Sequence, residues 1–148
     1  MNIMDYDIYL GAMYSMEYKK RVRYSETDKM GYLYYGHYAT YYEIGRVEAL
    51  RALGLSYQKM EDELGIMLPV AALSVRYKQP AYYDEELTIR TNLSERPHRL
   101  ICFTHEILNE AAQVINTAEV KLFFVDVNSN ERVAPPDILL SKLEPYFT

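Results

Sequence analysis

Apolar and polar residues alternate along several stretches of this chain, a pattern that is typical of β-strands. In an extended strand successive side chains point to opposite faces, so each alternating stretch has one apolar face. One such stretch lies early in the chain and four lie in its second half: Glu17–Ser25, Val70–Tyr77, Glu86–Leu93, Arg99–Leu108 and Val114–Asp126. Because short turns separate the last four, they are predicted to form an antiparallel sheet.

A different period runs between the first and second of these strands. From about Gly36 to Leu53, residues that can be buried recur at steps of three and four: Tyr38, Tyr41, Tyr42, Gly45, Ala49, Ala52 and Leu53. This spacing predicts one buried stripe on a helix of four to five turns. Gly54 is a typical helix-ending residue. On the same helix Glu43 and Arg46 lie three residues apart, a spacing that allows an ion pair.

Two shorter helices are predicted from their start signals. Ser56 is a suitable N-cap for a helix over 56–64. The segment PPDILLSKLEPYF, near the end of the chain, has proline where a helix tolerates it, in the first turn. The predicted order is therefore strand, long helix, short helix, four strands and a closing helix. This order indicates an α+β fold in which the long helix covers one face of the sheet.

Composition narrows the class of protein. The chain has 148 residues, as expected for one domain, and a net charge of -5, which argues against binding to nucleic acid. Its single cysteine, Cys102, excludes an intrachain disulfide, so a reducing compartment is expected. No apolar run approaches the length of a membrane span, and no basic residue precedes the apolar residues of the N-terminus. We therefore expect a cytoplasmic protein without membrane association.

The candidate chemistry lies in the stretch YSETDKMGYLYYGHYATYYE, Tyr24 to Glu43, where Asp28 and Gly31 precede a run of tyrosines. Asp28 is predicted to lie in the loop between the first strand and the N-terminus of the long helix. Unpaired N–H groups and the helix dipole would stabilise its carboxylate there by about 0.3–1 kcal/mol. The same N–H groups could stabilise an oxyanion. An aspartate before a helix is also commonly a helix cap or a turn former, and Gly31 by itself indicates only a backbone with positive φ.

The segment TDKMGYLYYGHYATYYEIGR resembles the signature of the hotdog-fold acyl-CoA thioesterases, the hydroxybenzoyl-CoA thioesterase-like family. The resemblance extends from about Glu17 to Phe147 and includes RYKQPAYYDEELTI. It implies a hotdog fold, with an antiparallel sheet wrapped around the long helix. It also implies a thioester hydrolase that needs no cofactor, since CoA enters as part of the substrate. On this basis residues 1–16 are expected to be an N-terminal extension and residues 17–148 the hotdog domain.

The resemblance also assigns roles to individual residues. It implies that Asp28 is the catalytic residue, as nucleophile or as general base for water, and that Gly31 is the loop glycine. The backbone N–H of Tyr35 is expected to polarise the thioester carbonyl. Tyr35 stands where many members have His or Asn, and His37 stands where Asn or Ser is common. Tyrosine combines a large apolar body with a polar tip, so Tyr32, Tyr34 and Tyr35 are expected to line the substrate pocket, whereas Tyr38, Tyr41 and Tyr42 are expected in the core. His37 is also a candidate for contact with the substrate.

Basic residues in the second half are candidates for contacts to the phosphates of CoA. Arginine and lysine bind phosphate through charge-assisted hydrogen bonds. The candidates are Arg76, Lys78, Arg96 and Arg99, which lie near strand ends or turns. No metal site is predicted, because His98 and Cys102 would share one face of a strand while His105 points to the other.

Three alternatives to an acyl-CoA thioesterase stay open at this level. A hotdog hydratase typically has His five residues after its catalytic Asp, but Leu33 occupies that position here. A non-catalytic binding module and an enzyme that acts on carrier-protein thioesters are the others. One helix on one sheet leaves sheet edges exposed, which favours association. The resemblance implies a homodimer or a dimer of dimers with shared sites.

Overall fold

The computed structural model describes residues 13–147, and all structural statements concern these residues. The strands are β1 (Tyr14–Arg21), β2 (Ile66–Met67), β3 (Val70–Tyr77), β4 (Glu86–Leu93), β5 (Leu100–Leu108), β6 (Val114–Phe123) and β7 (Val125–Asp126). The helices are α1 (Tyr38–Ala52), α2 (Tyr57–Leu64) and α3 (Asp137–Leu143). Short 3₁₀ turns occupy Tyr24–Glu26, Tyr35–His37 and Glu144–Tyr146.

Five strands form one antiparallel sheet in the order β1-β4-β5-β6-β3, and β2 pairs with β7 in a separate two-stranded ribbon. Helix α1 packs across the sheet against β1, β4 and β5. The predicted α+β architecture is confirmed, as is the order of its principal elements. Ser56 caps α2 as predicted, because its Oγ accepts a hydrogen bond from the N–H of Lys59 at 3.1 Å.

The buried stripe of α1 contains Tyr38, Tyr41 and Tyr42 as predicted. The hydroxyl of Tyr41 donates to Glu26 and that of Tyr42 donates to Asn116, so both polar tips have acceptors inside the protein. Burial raises the pKa of Tyr38 to about 12, and the neighbouring Tyr77 adds to the shift. Tyrosine rings whose hydroxyl groups stay protonated therefore form the part of the core that α1 contributes at its N-terminal half.

Three details differ from the predictions. Strand β1 begins at Tyr14 and ends at Arg21, because Tyr14 already pairs with Leu93 of β4. Ala52 is exposed, whereas Arg46 is only 7% exposed and joins the buried side of α1. Since Glu43 on the same helix is exposed, the ion pair between Glu43 and Arg46 is not formed. The boundary predicted at residue 17 stays a prediction, and residues 1–12 of the expected extension lie outside the described part.

Gly45 allows α1 to lie close to the sheet. A Cβ at this position would lie 2.3 Å from Thr91 Oγ1 and 2.9 Å from Ile89 Cγ2, both on β4. Gly45→Ala is therefore expected to lower the free energy of unfolding by about 1–3 kcal/mol through overpacking. Alanine is normally better than glycine inside a helix by about 1 kcal/mol, so the sign of the change identifies the cause. Urea unfolding measures it, and an unchanged or higher midpoint would contradict the tight contact.

Strand β3 lies at an open edge of the sheet, with β6 on one side and no described strand on the other. Seven of its eight residues are exposed, and these include the apolar side chains of Val70, Leu73 and Tyr77. A long apolar edge strand is a template for pairing with another chain. None of the helices within residues 13–147 is both long enough and apolar enough to span a bilayer.

Candidate active site

Asp28 lies at the tip of a small hairpin between β1 and α1. Thr27 and Leu33 form an antiparallel bridge, and the N–H of Asp28 donates to Tyr32 O at 2.9 Å. The turn is closed by the N–H of Gly31, which donates to Asp28 O at 3.0 Å. Gly31 has φ +79°, and a Cβ would meet no atom within 4 Å, so glycine is needed for the backbone conformation and not for space. This confirms the positive φ anticipated at Gly31.

The carboxylate of Asp28 shapes its own turn. Oδ1 accepts hydrogen bonds from the N–H groups of Met30 at 2.9 Å and Tyr32 at 3.2 Å. No hydrogen bond to Oδ2 is formed from residues 13–147. Asp28 does not cap α1, since the helix begins ten residues later, after the hairpin and a 3₁₀ turn. One oxygen therefore fixes the orientation of the side chain, while the other is available to a ligand.

Asp28 opens onto a shallow cleft of about 390 Å³ that is lined by Tyr24, Thr27, Asp28, Lys29, Gly31 and Tyr83. The rings of Tyr24 and Tyr83 meet edge to face, with 5.7 Å between their centroids. Tyr24 comes from the turn after β1 and Tyr83 from the segment before β4. Neither tyrosine was predicted to belong to the site. The signal for Tyr24 was its position inside the tyrosine-rich stretch, whereas Tyr83 is brought to Asp28 only by the fold.

The backbone N–H of Tyr35 is free to donate. Tyr35 begins the 3₁₀ turn that leads into α1, and its N–H has no acceptor among residues 13–147. The next N–H that donates locally is that of His37, to Tyr34 O at 3.0 Å. A free donor at the start of a helical segment can stabilise negative charge on a bound carbonyl oxygen.

The predicted substrate-contacting residues separate into two groups. Tyr34 and His37 lie beside Tyr35, with centroids 5.7 Å apart for the Tyr34–His37 pair and 4.8 Å for Tyr34–Tyr35. Tyr77 of β3 extends this group, because its hydroxyl donates to Tyr35 O at 3.3 Å. We refer to Tyr34, Tyr35, His37, Tyr38 and Tyr77 as the aromatic cluster. Tyr32 instead pairs with Tyr82, at 5.4 Å between centroids, on the other side of the hairpin.

The four basic candidates do not converge within one chain. Arg76 and Lys78 lie at the end of β3 that carries Tyr77, next to the aromatic cluster. Arg96 and Arg99 lie in the turn between β4 and β5, where they line a second cleft of about 310 Å³ with Glu95, Pro97, His98, Leu100 and Cys102. Since Asp28 lies near the start of β4 and this turn follows its end, the strand separates them by about 25 Å. Arg96 also pairs with Glu144 at 3.1 Å.

Histidine and cysteine do not assemble a metal site in the described chain, where no three His, Cys, Asp or Glu side chains come together. His105 is buried in β5, and its Nδ1 lies 3.0 Å from Thr91 Oγ1. Burial lowers the pKa of His105 to about 3, and the nearby Arg46 contributes, so the imidazole is neutral at physiological pH. His105 is therefore a core residue.

Comparison with known proteins identifies the family of the chain. Residues 22–143 match the Thioesterase-like superfamily. The chain is 32% identical over 120 residues to the acyl-CoA thioester hydrolase YbgC of Escherichia coli O6:H1, covering 80% of this chain and 89% of that protein. It is 32% identical over 108 residues to the putative acyl-CoA thioesterase YneP of Bacillus subtilis, covering 73% and 78%.

Among solved structures, the DHNA-CoA thioesterase of Staphylococcus aureus superposes with a TM-score of 0.77 at 32% identity, over 81% of this chain and 80% of that one. The expected hotdog fold and the expected enzyme class, thioester hydrolase, are thereby confirmed. The chain belongs to the thioesterase-like superfamily.

Proposed function

We propose that this protein hydrolyses an acyl-CoA thioester to a free acid and CoA, with Asp28 as the catalytic residue. The observation that supports the proposal is the hydrogen bonding of the two oxygens of its carboxylate. Two backbone N–H groups hold Oδ1, while Oδ2 has no partner in the described chain and the side chain lines an open cleft. A fixed carboxylate and, seven residues later at the start of the helical segment, a free backbone donor are the two groups that acyl transfer to water requires.

Two courses of reaction fit this arrangement. As general base, Asp28 takes a proton from a water molecule whose oxygen attacks the thioester carbon. As nucleophile, Asp28 attacks that carbon itself and forms a mixed anhydride, which water then cleaves. In both courses the carbonyl oxygen becomes an oxyanion, to which the Tyr35 N–H donates. In the first course the C–S bond breaks as Asp28 passes the proton taken from water to the sulfur. In the second the C–S bond breaks as the anhydride forms, and CoA leaves as a thiolate that takes a proton from solvent. Neither course needs a cofactor.

The acyl group is proposed to lie against the aromatic cluster. Its Tyr34, Tyr35 and Tyr77 rings are exposed while Tyr38 is buried beneath them, and the cluster joins the segment after the Asp28 hairpin to the edge strand β3. Tyrosine rings contact acyl carbon atoms through their faces while the hydroxyls stay hydrated. Thiol release from a panel of short, long and aromatic acyl-CoAs tests the function and defines the acyl class. Release from none of them would contradict the proposal.

A homodimer formed through β3 would bring Arg96 and Arg99 of one subunit toward the site of the other. When two edge strands pair antiparallel around a two-fold axis, the end of one β3 lies beside the beginning of the other. The Tyr77 end of β3 lies at the same end of the sheet as Asp28. The Val70 end lies at the opposite end, with the β4–β5 turn, because Val70 pairs with Leu122 and Leu122 pairs with Ile101 at the start of β5. The partner's turn therefore comes to about 15–20 Å from the Tyr77 end of β3, across three to four strand spacings and on the side of the aromatic cluster. The flexible pantetheine arm of CoA spans such a gap.

Hydratase chemistry is disfavoured by the packing of Leu33. This residue occupies the position where a hotdog hydratase would have its histidine, and its side chain is buried. A carrier-protein thioester is the remaining alternative substrate. It is tested by offering the same acyl group on CoA and on an acyl carrier protein in parallel.

A further inference from the structure

Glu26, two residues before Asp28, has a carboxylate that connects three elements. Its Oε1 accepts from the backbone N–H of Arg23 at 2.8 Å, from the hydroxyl of Tyr41 at 2.9 Å and from the ammonium of Lys20 at 3.1 Å. Lys20 belongs to β1 and Tyr41 to α1. One carboxylate oxygen therefore joins the first strand, the turn that follows it and the long helix.

The backbone of Glu26 forms the base of the hairpin that carries Asp28. Its carbonyl oxygen accepts from the N–H of Tyr34 at 2.9 Å, next to the bridge between Thr27 and Leu33. Asp28 lies beyond this bridge and Tyr35 follows Tyr34, so both proposed functional groups are attached to this base. A shift of Glu26 would displace the carboxylate and the Tyr35 N–H relative to each other.

The Glu26 side chain is well shielded from water. Glu26 and Lys20 are 17% and 18% exposed at their side chains, and Tyr41 is fully buried. The Lys20 ammonium also lies over the Tyr41 ring, 5.1 Å from its centroid. Burial alone would raise the pKa of Glu26, but the hydrogen bonds from Arg23, Tyr41 and Lys20 together hold it below its usual value. A shielded ion pair with charge-assisted hydrogen bonds restricts the backbone more than an exposed one does.

We infer that Glu26 is a positioning residue, whose carboxylate holds the hairpin against β1 and α1 so that Asp28 faces the cleft. Glu26 does not line the cleft and acts only through the hairpin. Its effect on catalysis rests on the proposed function, whereas its effect on the hairpin does not. A displacement of about 1 Å can lower an enzymatic rate by up to about 100-fold.

Glu26→Gln tests this inference, with Glu86→Gln as the matched control. Glutamine keeps the size of the side chain but removes the charge that binds Lys20. Glu86 also forms an ion pair with a basic residue of β1, Arg21, but both side chains are about 40% exposed. Hydrogen exchange at Asp28, Gly31 and Tyr34 reports on the hairpin without substrate, because each N–H is bonded within it or at its base. Thiol release measures kcat and KM.

Glu26→Gln is expected to speed exchange at these amides about 10-fold and to lower kcat about 10-fold, with KM within about twofold. Glu86→Gln is expected to leave the exchange rates, kcat and KM within about twofold of the wild type. Tyr41→Phe, which removes one hydrogen bond and keeps the ring, should give a smaller change of the same kind and serves if Glu26→Gln does not fold. Equal exchange in the Glu26, Tyr41 and Glu86 variants would overturn the inference. If the wild type releases no thiol, the proposed function fails, and exchange alone decides the role of Glu26.

Discussion

Asp28→Asn is expected to lower kcat for thioester hydrolysis by at least about 100-fold, the usual loss when a positioned acid–base group is removed. Asparagine retains an oxygen at the position of Oδ1, so the hydrogen bonds from Met30 and Tyr32 can still form. Its amide nitrogen takes the place of Oδ2. This nitrogen can neither accept a proton from water nor attack a carbonyl carbon. The turn should therefore persist while the chemistry is lost. Steady-state thiol release with the best substrate of the panel measures the change.

Asp126→Asn is the matched control for this prediction. Its Oδ1 also holds a turn, accepting from the N–H groups of Asn128 at 2.9 Å and Ser129 at 2.8 Å, but it lines neither cleft. If losing a turn-forming carboxylate were the whole effect, both variants would change activity alike. Unchanged kcat in folded Asp28→Asn protein would remove Asp28 from the mechanism.

Mixing two impaired variants is expected to restore part of the activity if the site is shared between subunits. One parent is Asp28→Asn, and the other is the double variant Arg96→Ala/Arg99→Ala. The second parent should lose at least about 10-fold in kcat/KM, because each Arg→Ala substitution removes a charge-assisted contact to a phosphate of CoA. After joint dissociation and reassociation about half of the dimers are mixed, and one site in each mixed dimer has wild-type Asp28 and wild-type arginines. The mixture should therefore regain about a quarter of wild-type kcat/KM.

The control for this experiment is the same mixture without dissociation. Its kcat/KM should equal the mean of the values of the two parents. If the reassociated mixture also had only the mean activity of the two parents, while native mass spectrometry demonstrated mixed dimers, Arg96 and Arg99 would not contribute to the partner's site. Charged residues on the β3 edge provide an independent check. Val70→Glu/Leu73→Glu should give monomers in sedimentation, because both side chains are exposed on the strand that is proposed to pair.

The local periodicity of the chain was sufficient to predict most of the fold. Alternating residues in β3, β4, β5 and β6 correspond to observed strands, since the faces of a sheet impose the period of two directly on the sequence. The tyrosine stripe of α1 follows from the helical period in the same way. Arg46 escaped this reasoning, because a charged residue at the border of the stripe is buried by packing between elements that are distant in sequence.

The candidate site was predictable only where its parts lie close together in the chain. Asp28 and Gly31 belong to one local turn and Tyr35 begins the next one, and the backbone conformation of both turns depends on neighbouring residues. Tyr83 reaches the cleft from the start of β4, and Tyr77 reaches Tyr35 from β3. Strand pairing determines such contacts, and the pairing partner of a strand is not written in its own pattern of residues.

The sequence by itself determined the element types, the acid–glycine turn and the resemblance to hotdog thioesterases, because each depends on residues close together along the chain. Only the tertiary structure decided that Asp28 faces a cleft between Tyr24 and Tyr83, and that Glu26 joins the hairpin to β1 and α1. It alone separated Arg96 and Arg99 from Asp28 by the length of β4. The physical reason is that distances between distant parts of the chain are set by sheet order and register, which depend on all the strands together.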